Sequence, residues 1–115
     1  MIDSYEFGTI VIDGKRYTTD VIAFPGRVLD GWWRREGHRL EVGDLEKVFE
    51  TETKPEVLVV GTGYSGVMAV SSEVKEALRS KGIKLIAQPT RQACATFNEL
   101  LKTNRKVVAA FHLTC

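Results

Sequence analysis

A run of four apolar residues, Val57–Val60, lies near the middle of the chain and leads directly into the glycine-rich segment 61–66. The run is too short for a helix and is rich in β-branched side chains, so it predicts a strand that is buried on both faces. We therefore expect this strand at the middle of a sheet, with the glycines at its carboxyl end.

Two further segments rich in apolar residues, Ile83–Ala87 and Val107–Phe111, predict more strands of the same sheet, and we expect the first of them to be buried. Between the first two strands lies a helical pattern for which Ser71 or Ser72 is the expected N-cap. Because a helical crossover joins the strands at 57–60 and 83–87, we expect these two strands to be parallel.

Two other segments have helical spacing. A short helix is predicted from apolar residues at i, i+3 and i+4, namely Leu45, Val48 and Phe49. A longer helix, with Thr90 as its expected N-cap, is predicted from the inward positions Ala93, Phe97, Leu100 and Leu101. The chain should therefore contain about three helices.

The first part of the chain has the pattern of an antiparallel hairpin. Apolar residues from Phe7 to Ile12 predict a strand, and Asp13-Gly14 is typical of a tight type I′ turn. A return strand is expected from Arg16 to Phe24, where Pro25-Gly26 ends it. The predicted fold class is α/β, a small mixed sheet with an N-terminal antiparallel β-hairpin layer.

Length and charge restrict the classes of function. A chain of 115 residues fits one domain, 1–115. Sixteen basic and fifteen acidic side chains give a net charge of +1, which gives no reason to expect binding to nucleic acid or to a membrane. No secretory signal or apolar span is evident, so we expect a cytoplasmic protein.

The glycines at 61, 63 and 66 match the G-x-G-x-x-G pattern of dinucleotide sites. Such a site needs a helix to begin at the third glycine and an acid after the next strand. Here the helix begins only near Ser71, and Gln88 follows the next strand. No Lys-Ser or Lys-Thr pair follows the glycines either, so no nucleotide cofactor is predicted.

A weaker possibility is a small anion held by loop amides and by the start of the last helix, since both should lie at the same end of the sheet. The alternative is that the glycines only turn the chain and that the helix start is an ordinary cap. The candidate ligand-binding residues are Gly61, Thr62, Gly63, Tyr64, Ser65, Thr90 and Arg91.

Catalytic and metal-binding patterns are scarce. His38 and His112 have no neighbouring Cys or acid at metal spacing, so no metal site is predicted, and His112 should be structural. Ser65 lacks the G-x-S-x-G pattern of a nucleophile elbow. Cys94 should be packed in the last helix, and we expect no disulfide with Cys115. No catalytic residue is assigned.

A Trp-Trp-Arg-Arg segment is the best candidate for a protein interface. In an extended chain Trp32 and Trp33 point to opposite faces, so one can pack while the other is exposed. Trp and Arg are enriched at the energetic centres of interfaces. The candidate interface residues are Trp32, Trp33, Arg34 and Arg35.

Three segments together resemble the Mth938-domain family: 57–63 ending in Gly-Thr-Gly, 90–100 beginning Thr-Arg-Gln-Ala, and the closing residues 105–115. The resemblance spans essentially the whole chain. It implies a three-layer α/β fold, with a mixed five-stranded sheet and an added β-hairpin. It implies no agreed activity or catalytic residue, and a distant mitochondrial member assists assembly of respiratory complex I.

The leading interpretation is therefore a protein-binding or assembly module that uses the segment 32–35. The alternative is a small-anion-binding protein or an enzyme that uses the loop 61–66 with Thr90 and Arg91. The oligomeric state is not predicted.

Overall fold

The computed structural model describes residues 1–51 and 54–115. The strands are β1 (Ile2–Glu6), β2 (Thr9–Ile12), β3 (Lys15–Tyr17), β4 (Val21–Phe24), β5 (Arg27–Leu29), β6 (Arg39–Leu40), β7 (Val57–Thr62), β8 (Ala69–Val70), β9 (Lys84–Gln88) and β10 (Val107–His112). The helices are α1 (Glu46–Phe49), which follows a 3-10 turn at Val42–Leu45, α2 (Ser72–Ser80) and α3 (Thr90–Leu101). The expected three helices are thus present in the described residues.

The main sheet has five strands in the order β5-β4-β10-β7-β9. β7 is parallel to both β9 and β10, whereas β4 is antiparallel to β10, so the sheet is mixed as predicted. Every residue of β7 and β10 is buried. The middle position is held by β10, which corrects the expectation that the strand at 57–60 would be central. Apolarity alone could not distinguish these two buried strands.

A separate antiparallel sheet, β1-β2-β3, forms the N-terminal layer. Asp13 and Gly14 have φ values of 49° and 82°, as the predicted type I′ turn between β2 and β3 requires. One strand here was missed, and one expectation is wrong. The first strand β1 was not predicted, and the single return strand from Arg16 to Phe24 is divided into β3 and β4. The division arises because Asp20, between them, bonds to the main sheet rather than continuing the hairpin.

Two apolar clusters cover the two faces of the main sheet. On one face, side chains of β1, β2 and α3 pack against alternate residues of β7 and β10. On the other face, α1, α2 and the segment after β5 pack against the remaining residues. These clusters produce the expected three-layer arrangement. None of the helices in the described residues is long and apolar enough to cross a membrane.

The connections of α2 match the sequence prediction. The Ser71 hydroxyl accepts a hydrogen bond from the Val74 amide at 3.2 Å and caps the helix. Gly82, with a φ of 72°, ends it in the left-handed conformation that a residue with a side chain disfavours. The chain then enters β9, which lies at an edge of the sheet and has no fully buried residue, so the expectation of a buried strand at 83–87 is wrong.

Candidate functional site

Three charged or ionisable side chains meet beneath the carboxyl end of the main sheet. Arg34 Nη1 and His112 Nδ1 each lie 2.8 Å from Asp20 Oδ2. Arg34 Nη2 lies 2.8 Å from the same His112 nitrogen. The exposed fractions of the Arg34 and His112 side chains are 4% and 6%, so these contacts are made away from water. We name Asp20, Arg34 and His112 the ionic cluster.

The ionic cluster joins three parts of the chain. His112 is the last residue of β10, Asp20 lies between β3 and β4, and Arg34 lies in the segment after β5. The Leu113 amide donates a 2.8 Å hydrogen bond to Asp20 Oδ1, and Arg34 Nη2 donates to the Gly37 carbonyl at 3.2 Å. The carboxylate therefore fixes the end of the central strand to the connection between the two sheets.

Electrostatics favour an ionised Asp20 in this cluster. Burial by itself raises the pKa of its carboxyl. Hydrogen bonds from His112, the Leu113 amide and Arg34, together with the Arg34 charge, outweigh burial and hold the pKa below the ordinary 3.8. The buried guanidinium thus has a carboxylate as its counter-ion, which is the arrangement that a buried charge requires.

The same carboxylate orients the His112 ring. An Nδ1–H ring donates to Asp20 Oδ2, which can only accept, but such a ring cannot also accept from Arg34 Nη2, which lies 2.8 Å from the same nitrogen. His112 Nε2 is buried and, among the described residues, has no hydrogen-bond partner. The ring centroids of His38 and His112 lie 6.3 Å apart.

The segment 30–38, which we call the arm, is held at two positions around its exposed tryptophan. Trp32 donates from its amide to the Asp20 carbonyl and from Nε1 to the Asp44 carbonyl, both at 2.9 Å. The Arg35 amide donates to Asp44 Oδ1 at 3.1 Å. Trp33, between these contacts, is 78% exposed. The arm therefore presents an indole from a fixed backbone.

Only two of the four candidate interface residues lie at the surface. Trp32 and Arg34 are each only 7% exposed, so they support the arm from inside and are not surface residues. Trp33 and Arg35 are exposed, as alternation along an extended segment requires. The correction follows from the counter-ion, because Asp20 draws Arg34 inward beneath the Trp32 ring.

Thr90 connects the glycine loop to the central strand. Its hydroxyl accepts a 2.9 Å hydrogen bond from the Gly63 amide and donates to the His112 carbonyl at 2.5 Å. Its own amide donates to the Gly63 carbonyl at 2.9 Å. The expectation that Thr90 caps α3 is wrong, because Pro89 occupies the N-cap position and the hydroxyl bonds to neighbouring strands instead.

The amides of the glycine loop are largely used within the chain. The Tyr64 amide donates to the Thr114 carbonyl at 2.8 Å, and the Gly66 amide donates to the Gly63 carbonyl at 3.1 Å. Thr62 is buried and its carbonyl accepts from the Met68 amide at 3.0 Å. The loop therefore has an evident internal role, which is to bind the C-terminal residues.

The remaining residues of the candidate anion site lie outward. Tyr64 and Ser65 are exposed. Arg91 is 60% exposed, its guanidinium lies 5.6 Å from the Tyr5 ring centroid, and it is 3.7 Å from a Glu6 carboxylate oxygen. The structure thus brings Arg91 and the loop to the same end of the sheet but directs the Thr90 hydroxyl inward. Anion binding there stays a prediction.

Other reactive groups do not gather at this site. No three His, Cys, Asp or Glu side chains within residues 1–51 and 54–115 are grouped as metal ligands would be. Cys94 and Cys115 are free thiols. Burial raises the pKa of the Cys94 thiol to about 12, which makes it a poor nucleophile.

The ionic cluster was missed at the level of sequence because its members are far apart in the chain. One signal was available: Trp32 and Arg34 are two residues apart, so an extended arm that buries the indole also turns the guanidinium inward. A buried Arg requires an acid. The sequence does not indicate which of fifteen acidic residues supplies it.

Comparison with known proteins identifies the family. The family model described as "Protein of unknown function (DUF498/DUF598)" matches residues 2–112. The chain belongs to this family. The DUF498 match covers the main sheet, the arm and the ionic cluster.

Two relatives extend this assignment. The chain is 34% identical over 110 residues to the human protein NADH dehydrogenase (ubiquinone) 1 alpha subcomplex assembly factor 3, covering 95% of this chain. It spans only 58% of the length of that curated relative. A conserved hypothetical protein from Pyrococcus horikoshii OT3 has a TM-score of 0.84 at 28% identity, covering 100% of this chain and 99% of that one.

The fold name also follows from a solved structure. A Bordetella pertussis protein, described as a Mth938-like domain, has a TM-score of 0.77 at 22% identity, covering 98% of this chain and 85% of that one. At this identity the likeness shows the fold alone. It confirms the Mth938-like architecture that the resemblance implied.

Proposed function

We propose that this DUF498 chain is a protein-binding module that acts in the assembly of a larger protein complex through the arm. The observation that carries the proposal is Trp33, a large apolar side chain that is 78% exposed on a backbone fixed from both sides. Exposed indoles next to Arg are typical of the residues that dominate binding energy at interfaces.

The ionic cluster supports this function by holding the arm in place before any partner arrives. Asp20 binds the arm through the Arg34 guanidinium and through the Trp32 amide. Because the backbone on either side of Trp33 is already ordered, less conformational entropy is lost when the indole is buried by a partner. The buried charges thus act on binding without touching the partner.

The sequence relatives suggest where a partner should be sought. The human relative is named as an assembly factor for an NADH dehydrogenase subcomplex, and its match covers 95% of this chain. We therefore take subunits of an NADH dehydrogenase complex as the first candidates for the protein partner of this chain.

The proposal is tested by photo-crosslinking from two positions. A photoreactive phenylalanine analogue replaces Trp33 in one variant and Phe7, which is 57% exposed elsewhere, in the other. We expect position 33 alone to capture a defined partner from native extract. Equal capture from both positions, or from neither, would overturn the proposal.

A matched substitution gives a second test. Trp33→Ala should reduce partner recovery in a pull-down about tenfold or more, since interface indoles often contribute more than about 2 kcal/mol. Phe7→Ala is the control and should leave recovery unchanged. Both side chains are exposed, so both variants should retain the wild-type thermal midpoint. Undiminished recovery with Trp33→Ala would contradict the role of the arm.

A further inference from the structure

The main sheet ends at β9, whose outer side has no strand against it in the described part of the chain. Within residues 1–51 and 54–115, β9 pairs in parallel with β7 from Lys84 to Gln88 and with no other strand. The side chains of Leu85 and Ile86 are half-buried against opposite faces of the sheet, and Ala87 is exposed. The edge therefore combines unpaired backbone with partly uncovered apolar side chains.

The direction of the free backbone groups follows from one hydrogen bond. The Lys84 amide donates to the Glu56 carbonyl at 2.9 Å, so Lys84 faces β7. Successive residues of a strand alternate in direction, and Ile86 and Gln88 therefore also face β7. The amides and carbonyls of Leu85 and Ala87 point away from the molecule.

This edge lacks the usual protection against pairing. The opposite edge strand, β5, has only three residues, begins with a charged Arg27 and follows Pro25-Gly26. In β9 the only charge is on Lys84 at its first position, and Pro89 comes after its end. Edges that are left open in this way are templates for another strand.

We propose that β9 pairs antiparallel with β9 of a second copy of this chain, across a two-fold axis at Ile86. In this register Leu85 faces Ala87 of the second copy, and these residues exchange the outward N–H and C=O groups. The two main sheets become one continuous sheet. The proposal is independent of the arm, whose buried residues pack against one face of the main sheet and the end of β10.

The residues of β9 favour a second copy as the occupant because the strand is complementary to itself. Lys84 of one copy faces Gln88 of the other, so no two like charges stand directly opposite. Ile86 faces its own symmetry mate, which covers the part of its side chain that the first copy leaves exposed. A closed, isologous pair of this kind is the commonest oligomer symmetry.

Two substitutions at one position test the backbone pairing. Ala87→Pro removes an outward amide and leaves the hydrogen bonds to β7 intact. Ala87→Val keeps that amide and adds a β-branched side chain at an exposed position. In sedimentation equilibrium from low micromolar to millimolar protein, we expect wild type and Ala87→Val to dimerise and Ala87→Pro to stay monomeric.

Amide hydrogen exchange supplies the site-specific measurement on the wild-type protein. The Leu85 and Ala87 amides should become protected as protein concentration rises, whereas the Ile86 amide should be protected at every concentration. A wild-type protein that is monomeric throughout the range overturns the proposal. So does a dimer in which the Leu85 and Ala87 amides exchange freely.

The antiparallel register is tested by charge. Gln88→Glu places a carboxylate opposite Lys84 of the second copy, and Gln88→Lys places an ammonium there. Gln88→Glu should tighten the dimer about fivefold and Gln88→Lys should weaken it by a similar factor, since the axis repeats each pair. Equal dissociation constants for the two variants would exclude this register, and unchanged thermal midpoints at low concentration would show that both fold.

Discussion

At the scale of single residues, Asp20 is the acid on which the buried charges depend. Its carboxylate is the counter-ion of Arg34 and accepts from the Leu113 amide. We expect Asp20→Asn, which keeps the shape and removes the charge, to lower the free energy of unfolding by about 3–5 kcal/mol, because Arg34 is left buried and uncompensated. Urea denaturation at neutral pH measures this loss.

Wild type and Asp20→Asn should also differ in how their unfolding free energies depend on pH. Since the folded-state pKa of Asp20 lies below 3.8, its stabilisation is complete above that value and is lost as pH falls through the folded pKa. The stability gap between wild type and Asp20→Asn should therefore close in acid. Asp13→Asn is the control, because the Asp13 side chain is 75% exposed and its change should stay within about 1 kcal/mol. A gap that persists unchanged at low pH would refute the assignment.

Thr90 offers a second residue-scale prediction. Thr90→Val keeps the shape but leaves the buried Gly63 amide without its acceptor and the His112 carbonyl without its hydroxyl donor. We expect a loss of about 2–4 kcal/mol in unfolding free energy, against about 1 kcal/mol for Thr90→Ser, which removes only a methyl group. Thermal denaturation compares the two. Equal stability of the Val and Ser variants would show that the hydroxyl bonds contribute nothing.

Thr90 and Arg34 also show that the distant partners of a side chain could not be predicted from the sequence. Position and residue type correctly placed the cap of α2 at Ser71 or Ser72, and Ser71 is the cap, because a cap depends on the next few residues of the same helix. Thr90 has the same local pattern, yet its hydroxyl bonds to residues of the glycine loop and β10. Arg34 is drawn inward by an acid from a distant connection. Such contacts depend on the packed fold, which local spacing does not encode.

At the scale of elements, the close approach of β7 to the start of α3 depends on Gly61. A β-carbon at this position would lie 2.8 Å from Thr90 Oγ1 and 3.0 Å from Phe111 Cδ1. We expect Gly61→Ala to reduce the unfolding free energy by about 1–3 kcal/mol through overpacking. Differential scanning calorimetry checks the value.

Gly37→Ala is the matched control for Gly61→Ala. A β-carbon at Gly37 would meet nothing within 4 Å, so this variant should change stability by no more than about 0.5 kcal/mol. If both substitutions have the same small effect, the helix and strand are not held at the distance described.

The elements themselves were mostly predictable, but their arrangement was less so. Apolar segments identified β7, β9 and β10, although β9 has no fully buried residue, and helical spacing identified α2 and α3. The division between β3 and β4 was not predicted because its cause is a contact between sheets. The order of strands was also inaccessible, since two fully buried strands, β7 and β10, have the same pattern.

At the scale of the whole molecule, the two thiols report how often the core opens. Burial raises the pKa of Cys94 to about 12, whereas Cys115 is exposed. We expect Ellman's reagent to modify Cys115 rapidly in the folded protein and Cys94 only at the rate of opening. Cys115→Ser should abolish the rapid phase and Cys94→Ser should leave it. A rapid reaction at Cys94 would contradict the packing of α3.

Two expectations from the sequence stay predictions. They are the cytoplasmic location and anion binding at Arg91. The DUF498 relatives bear on family and fold, and the protein partner is tested by the experiments on Trp33.

The central position of β10 has a consequence for the newly made chain. β10 joins β4 on one side to β7 on the other, yet both of those strands are synthesised long before it. A nascent chain on the ribosome therefore carries two apolar strands with no neighbour between them until Val107–His112 has emerged. Native closure of the sheet has to wait for that moment, and until then these strands are open to aggregation.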